Sequence, residues 1–369
     1  MVKLFQHKAV LANISAGKGV DEPPVHVRLE PTESCNFRCR FCWWHDAERK
    51  RTIEKTADVT GKRHMDQERL SGLVNELIQM GVKAVSFTGA GDPLVYPKLH
   101  EIIDYLLNRG VAVGVTSNMA MPLKDVSLAV LSRTQWLRWS LNSGDPQGYK
   151  EINQPLGNNA VEAFDRSIDN IKKVVKFKKE YSTPVKITAS YVVSNDNQDG
   201  LLDAVNLVSA IGVDAIVFRP DTHYERGHVA TGIHADFASR IEEIKRRNSG
   251  DAIEINYAVE REQDSKVLNE KDLQCFYSNH STYIAATGDV YPCCYTRHDK
   301  RFAMGNINDQ DFAMFWQSES RRNNYLKLNM ESCPSCPHGD TNKMLRDLYN
   351  GDIEYSDILS PGEVHDQFV

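Results

Sequence analysis

The feature that most constrains the fold is an alternation of short β-branched runs with amphipathic helical stretches. The apolar run at residues 82–89, for example, follows a helical pattern over residues 66–81 that ends at a glycine. About six strand–helix units follow one another in this way, with the first strand at residues 25–32 and the sixth at 214–220. Since strands joined by helices run parallel, the alternation predicts an α/β fold, a parallel sheet or barrel with helices outside. Chemistry is expected on the loops after the strands.

Composition and charge place the chain among ordinary globular proteins. Its 369 residues include 44 Lys and Arg against 50 Asp and Glu, a formal net charge of −6. This balance gives no signal for nucleic acid or for an anionic membrane surface. No apolar run is long enough to span a bilayer, and the N-terminus lacks the apolar centre of a signal peptide. We therefore expect a cytoplasmic protein without a membrane or nucleic-acid partner.

Eight cysteines fall into two groups separated by more than 230 residues without a cysteine. Clustered cysteines in a long chain without a secretion signal favour reduced thiols that serve metal binding or catalysis. The first group is Cys35, Cys39 and Cys42, and the second is Cys275, Cys293, Cys294, Cys333 and Cys336. The separation predicts two sites.

The first group has the spacing C-x3-C-x2-C, one ligand short of the four that usually close a zinc or iron–sulfur site. His45 would complete a structural zinc site, and chance clustering is a further alternative. The remaining interpretation is a [4Fe–4S] cluster held by three thiolates, with one iron open to another ligand.

This loop resembles the cluster loop of the radical S-adenosylmethionine (SAM) enzymes. In that superfamily the same spacing follows the first barrel strand, and an aromatic residue precedes the third cysteine, as Phe41 does here. The resemblance implies a partial (β/α)6 TIM barrel, with SAM chelating the open iron. The reduced cluster of such enzymes cleaves SAM, and the 5′-deoxyadenosyl radical abstracts hydrogen from an unactivated C–H bond. A reducing partner such as flavodoxin or ferredoxin is implied as well.

Three later stretches resemble parts of the superfamily that bind SAM. The stretch FTGAGDP, residues 87–93, resembles the glycine-glycine-glutamate motif, with Ala90 replacing a glycine and Asp92 replacing the glutamate. A shorter carboxylate still accepts from the SAM ammonium group, and the alternative is a plain turn. The ends of the third and fourth strands offer polar side chains, and residues 190–197 resemble the segment that packs on adenine. The residues implied for SAM are Phe41, Gly89, Ala90, Gly91, Asp92, Ser117, Asn118, Ser140 and Val193.

Residues 271–345 resemble the twitch or SPASM extension of the same superfamily. Two strands joined by the turn TGD precede the Cys293–Cys294 pair, and a predicted helix over residues 311–327 precedes CPSC. In the superfamily such a hairpin and helix hold one or two auxiliary [4Fe–4S] clusters. Because four thiolates complete one cluster, the count favours one auxiliary [4Fe–4S] cluster, and a four-cysteine zinc site is the alternative. The implied ligands are Cys275, Cys293, Cys333 and Cys336.

Cys294 is left over, although it could exchange roles with Cys293, since adjacent strand positions point to opposite faces. It is then either a small buried hydrophobe or a thiol that returns hydrogen to a substrate radical, as in some epimerases of the superfamily.

Candidate substrate residues follow the sixth predicted strand. A polar cluster there suits binding a polar substrate or removing a proton from a substrate radical, and the alternative is a solvated loop. Trp43 and Trp44 either wall this site or pack in the core. The candidate catalytic residues are Cys294, Arg219, Asp221, His223 and Tyr224.

The expected function is oxidation by dehydrogenation, or epimerisation, of a small polar substrate such as a sugar, aminocyclitol or nucleoside. Peptide-modifying relatives often carry an N-terminal leader-binding region, for which the roughly 25 residues before the first strand are too few. A peptide maturase, an RNA-modifying radical enzyme and a non-catalytic iron–sulfur or zinc module are the alternatives. The predicted domains are an N-terminal extension (1–24), the barrel (25–260), the auxiliary-cluster domain (271–345) and a C-terminal tail (346–369).

Overall fold

The described part of the chain covers both cysteine groups and most of the predicted barrel. The computed structural model describes residues 8–17, 22–45, 64–157, 160–223, 228–229, 237–248, 253–257, 274–328, 333, 336 and 338–358.

Ten of the described strands form one sheet, in the order β12-β11-β10-β1-β2-β3-β4-β5-β6-β9. From β1 to β6 and on to β9, neighbouring strands pair in parallel. The predicted α/β fold with a partial barrel is therefore confirmed. The strands are β1 His26–Leu29, β2 Ala84–Phe87, β3 Ala112–Ser117, β4 Trp136–Ser140, β5 Lys186–Val193, β6 Ala215–Pro220, β7 Thr222–His223, β8 His228–Val229, β9 Glu254–Tyr257, β10 Ser281–Ile284, β11 Asp289–Tyr291 and β12 Gly305–Asn306.

Helices cover the outer face of the sheet. Their apolar stripes bury leucines such as Leu70 and Leu73 against Val27 and Leu29 of β1 in the main core, and each fully buried side chain stabilises the fold by about 1.5–3 kcal/mol. The helices are α1 Lys8–Ser15, α2 Gln67–Gln79, α3 Leu99–Leu107, α4 Asp125–Leu131, α5 Pro146–Asn153, α6 Ala160–Tyr181, α7 Leu201–Ile211, α8 Phe237–Arg247, α9 Phe312–Trp316, α10 Glu319–Leu326, α11 Gly339–Asn350 and α12 Tyr355–Ile358.

The inner face of the sheet, which points away from this core, is polar. Side chains alternate between the two faces of a strand, and the strand registers align the polar positions across the sheet. The inner-face residues that are polar include His26, Arg28, Ser86, Thr116, Arg138, Ser140, Thr188, Ser190 and Arg219. A barrel interior of this composition suits a polar ligand rather than a packed apolar core.

One aromatic side chain closes the amino-terminal end of this inner face. The indole of Trp136 lies over Gly114, where an added Cβ would come 2.0 Å from a ring carbon. The same ring packs on Ala84 and Ala112. Arg138 lies two residues further along β4, on the same face, and its guanidinium carbon is 5.5 Å from the centre of the Trp136 ring. Trp136 therefore forms the floor of the inner face, and the polar residues lie above it.

The C-terminal region extends the barrel sheet instead of forming a separate body. Strand β10 pairs in parallel with β1, and β11 and β12 continue the sheet antiparallel. The turn between β10 and β11 contains Gly288 at φ 81°, a left-handed conformation that favours glycine. The auxiliary-cluster region is thus fixed directly to the strand that precedes the first cysteine group.

Two boundaries differ from the sequence expectation. The predicted helix at 311–327 is two helices, α9 and α10, because Ser318 begins α10 as its N-cap and accepts from the Arg321 N–H at 3.1 Å. The expected tail from residue 346 begins inside α11, whose Leu348 is buried with Leu345 against α1.

No helix in the described ranges is long and apolar enough to cross a membrane.

Candidate functional site

The first cysteine group lies on the loop that leaves the carboxyl end of β1. Main-chain hydrogen bonds tie this loop to the end of α5: Arg38 N–H donates to the Gln154 carbonyl and Arg40 N–H to the Ile152 carbonyl. Phe37 is buried with its ring edge-on to Tyr149, at a centroid distance of 5.8 Å. The buried Phe37 ring and these two main-chain hydrogen bonds therefore hold the loop in place.

The three thiols of this group lie close together. Burial, the Asp92 carboxylate and Cys42 raise the pKa of Cys35 to about 12. Burial raises the pKa of Cys39 well above its ordinary value, and the neighbouring thiols of Cys42 and Cys35 raise it further. Each thiol of the three makes ionisation of its neighbours less favourable. Cluster iron bound by all three would offset the negative charge of their thiolates. The residues present fit a three-thiolate cluster.

The loop at residues 87–93 packs directly against the cysteine loop. Asp92 N–H donates to the Ser34 carbonyl at 3.0 Å. A Cβ added at Gly91 would lie 2.2 Å from that same carbonyl oxygen, and one at Gly89 would lie 2.5 Å from the side chain of Glu30. Glycine is required at Gly91 because two backbones approach closely there, and at Gly89 because the buried Glu30 side chain occupies the space that a Cβ would need. Proximity to the cysteine loop is what the expected SAM-binding motif needs.

The Asp92 carboxylate is buried and accepts hydrogen bonds from the protein itself. Its donors are Leu94 N–H at 2.9 Å, Asn118 N–H at 2.7 Å and the Ser117 hydroxyl at 3.0 Å. Burial raises the pKa of Asp92, and these hydrogen bonds oppose the rise. Asp92 thus fastens the motif to the end of β3, a role that the sequence did not suggest. Its contact with the SAM ammonium group stays a prediction.

The other residues expected at SAM surround the same edge. Ala90 N–H donates to Glu30 at 2.9 Å, and Phe41 is half-buried in the cysteine loop. Ser140 is half-buried at the end of β4, whereas the Val193 side chain is fully buried, so only its backbone is available there.

An asparagine network below the cysteine loop was missed from the sequence. Asn142, at φ 58°, donates to Asn153 Oδ1 at 2.9 Å and accepts from Val192 N–H at 2.9 Å. Asn197 donates to the Asn142 carbonyl at 3.0 Å, and the Cys39 thiol lies 3.7 Å from Asn153 Oδ1. The network ties the ends of β4 and β5 to the thiol. An asparagine just after a strand, where a left-handed residue is tolerated, was the available signal.

The second cysteine group also converges. Burial with Cys294 and Cys275 raises the pKa of Cys293 to about 12. Burial and Cys275 raise the pKa of Cys336 to about 11, and Cys275 leads the thiols that raise the pKa of Cys333. The four expected ligands are therefore neighbours, with Cys275 common to all. The set fits a fully ligated iron–sulfur cluster, whereas no three of these thiols, all four among the described residues, lie within 4.8 Å of one another, as a single zinc ion would need.

Cys294 adjoins that set and is the thiol that most affects the pKa of Cys293. It packs against the apolar cluster of Tyr283, Ala285, Tyr291 and Phe302. A thiolate at Cys294 would raise the pKa of Tyr283, after the larger contributions of burial and Glu30. Tyr283 pairs with Arg28 in the sheet register and shares its inner face. Cys294 is thus a thiol of the second group that lies near Tyr283 and Arg28 of the inner face.

Aromatic and basic side chains span the gap between the two groups. Trp43, next to Cys42, lies 4.4 Å from the Arg297 guanidinium carbon, and Arg297 donates to the Cys294 carbonyl. Trp44 is buried with its ring 4.6 Å from the His298 ring. Trp44 therefore packs in the core, whereas half-buried Trp43 lines the space between the groups.

A buried hydrogen-bonded cluster around Glu30 joins the same two regions and was not foreseen. Glu30 accepts from His298 Nε2 at 3.0 Å and from the Tyr283 hydroxyl, and all three side chains are buried. Burial favours the neutral acid, but His298 and Tyr283 lower the pKa of Glu30 below its ordinary value. Contacts across more than 250 residues of sequence leave no local signal.

The candidate substrate residues are only partly covered by the structure. Arg219 is half-buried on the inner face of β6, and Asp221 N–H donates to the Val193 carbonyl at 2.8 Å. The backbone of His223 lies in β7, while its side chain and the whole of Tyr224 lie outside the described residues.

Family models match both parts of the chain. The model of the radical SAM superfamily matches residues 29–208, and that of SPASM, an iron–sulfur cluster-binding domain, matches residues 275–337. These ranges contain the first and second cysteine groups, respectively.

Individual relatives are distant. The chain is 25% identical to a tungsten-containing aldehyde ferredoxin oxidoreductase cofactor-modifying protein of Pyrococcus furiosus, over 80% of this chain and 81% of that protein. It is 24% identical to dTDP-4-amino-4,6-dideoxy-D-glucose ammonia-lyase of Streptomyces venezuelae, over 73% of this chain but only 57% of the lyase.

Among solved structures, the fold resembles Streptococcus suis SuiB bound to its precursor peptide SuiA. The TM-score is 0.61 with 13% identity, over 92% of this chain and 76% of SuiB. At this identity the likeness concerns the fold.

Proposed function

Because the chain belongs to the radical SAM superfamily and carries a SPASM-type iron–sulfur domain, we propose that it abstracts hydrogen from an unactivated C–H bond of a small polar substrate. We propose further that the product forms by oxidation or by epimerisation. Sugars, aminocyclitols and nucleosides are the substrate classes with the required polarity.

The bound groups and the chain divide the work. When bound, SAM with its [4Fe–4S] cluster supplies the 5′-deoxyadenosyl radical, and an auxiliary iron–sulfur cluster supplies an electron acceptor. Cys35, Cys39 and Cys42 would hold the first cluster, and the loop 89–92 would hold SAM against it. The eight free thiols suit a reducing compartment such as the cytoplasm, and reduction would come from a flavodoxin- or ferredoxin-like partner.

The observation that carries the proposal is the polar inner face between the two cysteine groups. Arg138, Thr188 and Ser190 lie on neighbouring strands of that face, above the Trp136 floor. Arg219 lies beside them on β6. These donors can fix the hydroxyl, amino or phosphate groups of a small substrate, because guanidinium and hydroxyl groups form directed hydrogen bonds. The floor limits how deep that substrate can enter.

The curated relatives support a small substrate. One of them is named for a nucleotide-linked amino sugar and another for a cofactor, and both kinds of molecule are polar and compact enough for a barrel interior. The SuiB structure, by contrast, holds a peptide. A peptide substrate is therefore the second candidate, favoured by the shared fold.

The two proposed outcomes differ in the role that they give to Cys294. A thiol beside the inner face can return hydrogen to a substrate radical and so complete an epimerisation. An electron from the flavodoxin- or ferredoxin-like partner and a proton from solvent would then restore the thiol from its thiyl radical. In an oxidation the substrate radical instead loses a proton to a base, and its remaining electron leaves through the second site. Asp221, His223 and Tyr224 stay the proposed residues for that proton transfer.

Deuterium transfer tests the proposal. The full chain, reconstituted anaerobically with iron and sulfide, is reduced with dithionite and given SAM with deuterated sugars, aminocyclitols, nucleosides or peptides. We expect deuterium in 5′-deoxyadenosine with one of the small-molecule classes and none with the Cys39→Ala control. Transfer from peptides alone would select the second candidate, and no SAM cleavage despite a reducible cluster would refute the enzyme.

The Cys294→Ala variant then separates the outcomes. If the product is an epimer, Cys294→Ala should still cleave SAM but lose the epimer and the solvent deuterium that a thiol delivers in D2O. Unchanged product formation would remove Cys294 from the reaction and leave oxidation.

A further inference from the structure

Arg28 places a positive charge beside the second cysteine group, although it belongs to the first strand of the barrel. Its guanidinium donates to the Tyr277 hydroxyl from both terminal nitrogens at 3.1 Å, and to the Ser281 hydroxyl at 2.8 Å. The Arg28 side chain is partly buried. It lies on the same face of the sheet as Tyr283, its partner in the neighbouring strand β10. Arg28 thus spans from the barrel interior to the auxiliary-cluster region.

Tyr277 links this guanidinium to the cysteine ligands. It follows Cys275 by two residues and lies fully buried. Its ring stacks on the His338 ring at a centroid distance of 3.8 Å and an interplanar angle of 12°, and His338 itself follows Cys336 by two residues. Tyr277 N–H donates to Asn342 Oδ1 at 2.9 Å. Arg28 is therefore anchored to the frame that positions two of the four thiols.

The surroundings of Arg28 favour its charged form. Burial disfavours the charged guanidinium, but Tyr277 and the thiols of Cys294 and Cys293 raise the pKa of Arg28 above its ordinary value. Hydroxyl acceptors hold the group in place without cancelling its charge. A fixed cation close to a cluster stabilises the reduced form, which carries one more negative charge, and so raises the reduction potential.

We propose that Arg28 is a positioning residue of the auxiliary site that raises the reduction potential of the cluster held by Cys275, Cys293, Cys333 and Cys336. The proposal rests on the auxiliary cluster of the proposed function, but not on any substrate. A higher potential favours acceptance of the electron that a substrate radical gives up, so Arg28 supports the oxidation outcome.

Redox potentiometry of the auxiliary cluster alone tests this role. In full-length chains whose Cys35, Cys39 and Cys42 are replaced by alanine, the electron paramagnetic resonance (EPR) signal of the reduced auxiliary cluster is followed against potential. We expect Arg28→Met to lower the reduced-to-oxidised ratio at a fixed potential about tenfold, which is 59 mV for a one-electron couple. Arg28→Lys keeps the charge and should stay close to the parent chain.

Two further variants keep the test decisive. Tyr277→Phe removes the hydroxyl but not the charge and should shift the potential less than Arg28→Met. If Arg28→Met binds less iron and sulfide than its parent, Arg28→Gln replaces it in the series. Equal potentials in the charged and uncharged variants would overturn the proposal.

The results also separate this proposal from the proposed function. Normal deuterium transfer together with an unshifted potential refutes the role of Arg28 alone. A second group that binds zinc, and so has no midpoint potential, refutes both Arg28 and the auxiliary electron acceptor.

Discussion

Both cysteine groups are suited to hold a metal cluster, but their thiols are brought together in opposite ways. The first takes three thiols from one loop of eight residues, from Cys35 to Cys42. The second collects thiols from separate points between Cys275 and Cys336, across a hairpin and two helices. A local loop leaves one coordination position for another ligand, whereas the assembled site closes around its cluster.

This difference indicates which contacts fix the cysteines of each group in position. The first loop is held by contacts within the barrel: the buried Phe37 ring, the hydrogen bonds to α5 and the glycines at 89 and 91. The second depends on strand pairing between β1 and β10 and on long-range contacts such as Arg28 to Tyr277. The first site should therefore tolerate changes in the C-terminal region better than the second tolerates changes in β1.

The largest effect should come from removing a thiol of each group in turn. Cys39→Ala should abolish 5′-deoxyadenosine formation and lower the iron content from about eight to about four atoms per chain. Cys275→Ala should lower iron similarly while SAM cleavage persists. Iron analysis and product chromatography measure both, with Cys294→Ala as the full-iron control. Loss of all iron in either variant would show that the two sites are not independent.

Glu30 offers a sharper test of how the regions are joined. Glu30→Ala removes the acceptor of buried donors on His298, Tyr283 and Ala90. Because each buried donor left unsatisfied costs about 1–3 kcal/mol, we expect a loss of about 3–5 kcal/mol of unfolding free energy, measured by urea titration. The isosteric Glu30→Gln should cost less. An Asp196→Asn control, at the surface, should change little. A Glu30→Ala chain as stable as its parent would contradict a stabilising role for these buried hydrogen bonds.

The same hydrogen bonds predict a direction of pH dependence. The pKa of Glu30 in the folded chain lies below its ordinary value of about 4.3. The hydrogen bonds to Glu30 therefore contribute their full stability at neutral pH and lose it as the pH falls through the folded pKa. Acid unfolding curves of Glu30→Gln should be flatter than those of the parent below about pH 4, and identical curves would count against the assignment.

Gly91 tests the close contact between the SAM-binding loop and the cysteine loop. The Cβ of Gly91→Ala would meet the Ser34 carbonyl, so we expect a loss of about 1–3 kcal/mol and weaker SAM binding by equilibrium dialysis. Gly72→Ala is the matched control. Its Cβ meets only flexible side-chain ends at 3.8 Å or more, and alanine there should stabilise α2 by up to about 1 kcal/mol. Equal effects of the two substitutions would refute the close packing.

The smallest effect is expected at the surface of the first loop. Arg40 and Asp196 form an ion pair at 2.8 Å, but half of each side chain is exposed. Arg40→Met should change the unfolding free energy by less than about 1 kcal/mol, and the difference should shrink in high salt. A larger, salt-insensitive loss would mean that this pair, and not the buried contacts, holds the loop.

Much of the fold was predictable because its signals are local. The strand and helix patterns from β1 to β6 follow hydrophobic periodicity, and the cysteine spacing of the first loop lies within a few residues. The break at Ser318 was missed because residues compatible with a helix continue on both sides of the capping serine, from FAMFW before it to ESRRNNYL after it. Glu30 with His298, and Arg28 with Tyr277, were missed because sequence patterns do not report pairs that only the β1–β10 pairing brings together.

The most direct measurement compares the EPR spectra of the reduced chain with and without SAM. An open first site and a closed second site predict that SAM shifts one of two [4Fe–4S] signals. In the chain with Cys35, Cys39 and Cys42 replaced by alanine, the remaining signal should not respond. A SAM-dependent shift in that variant, or none in the parent chain, would contradict the division into an open and a closed site.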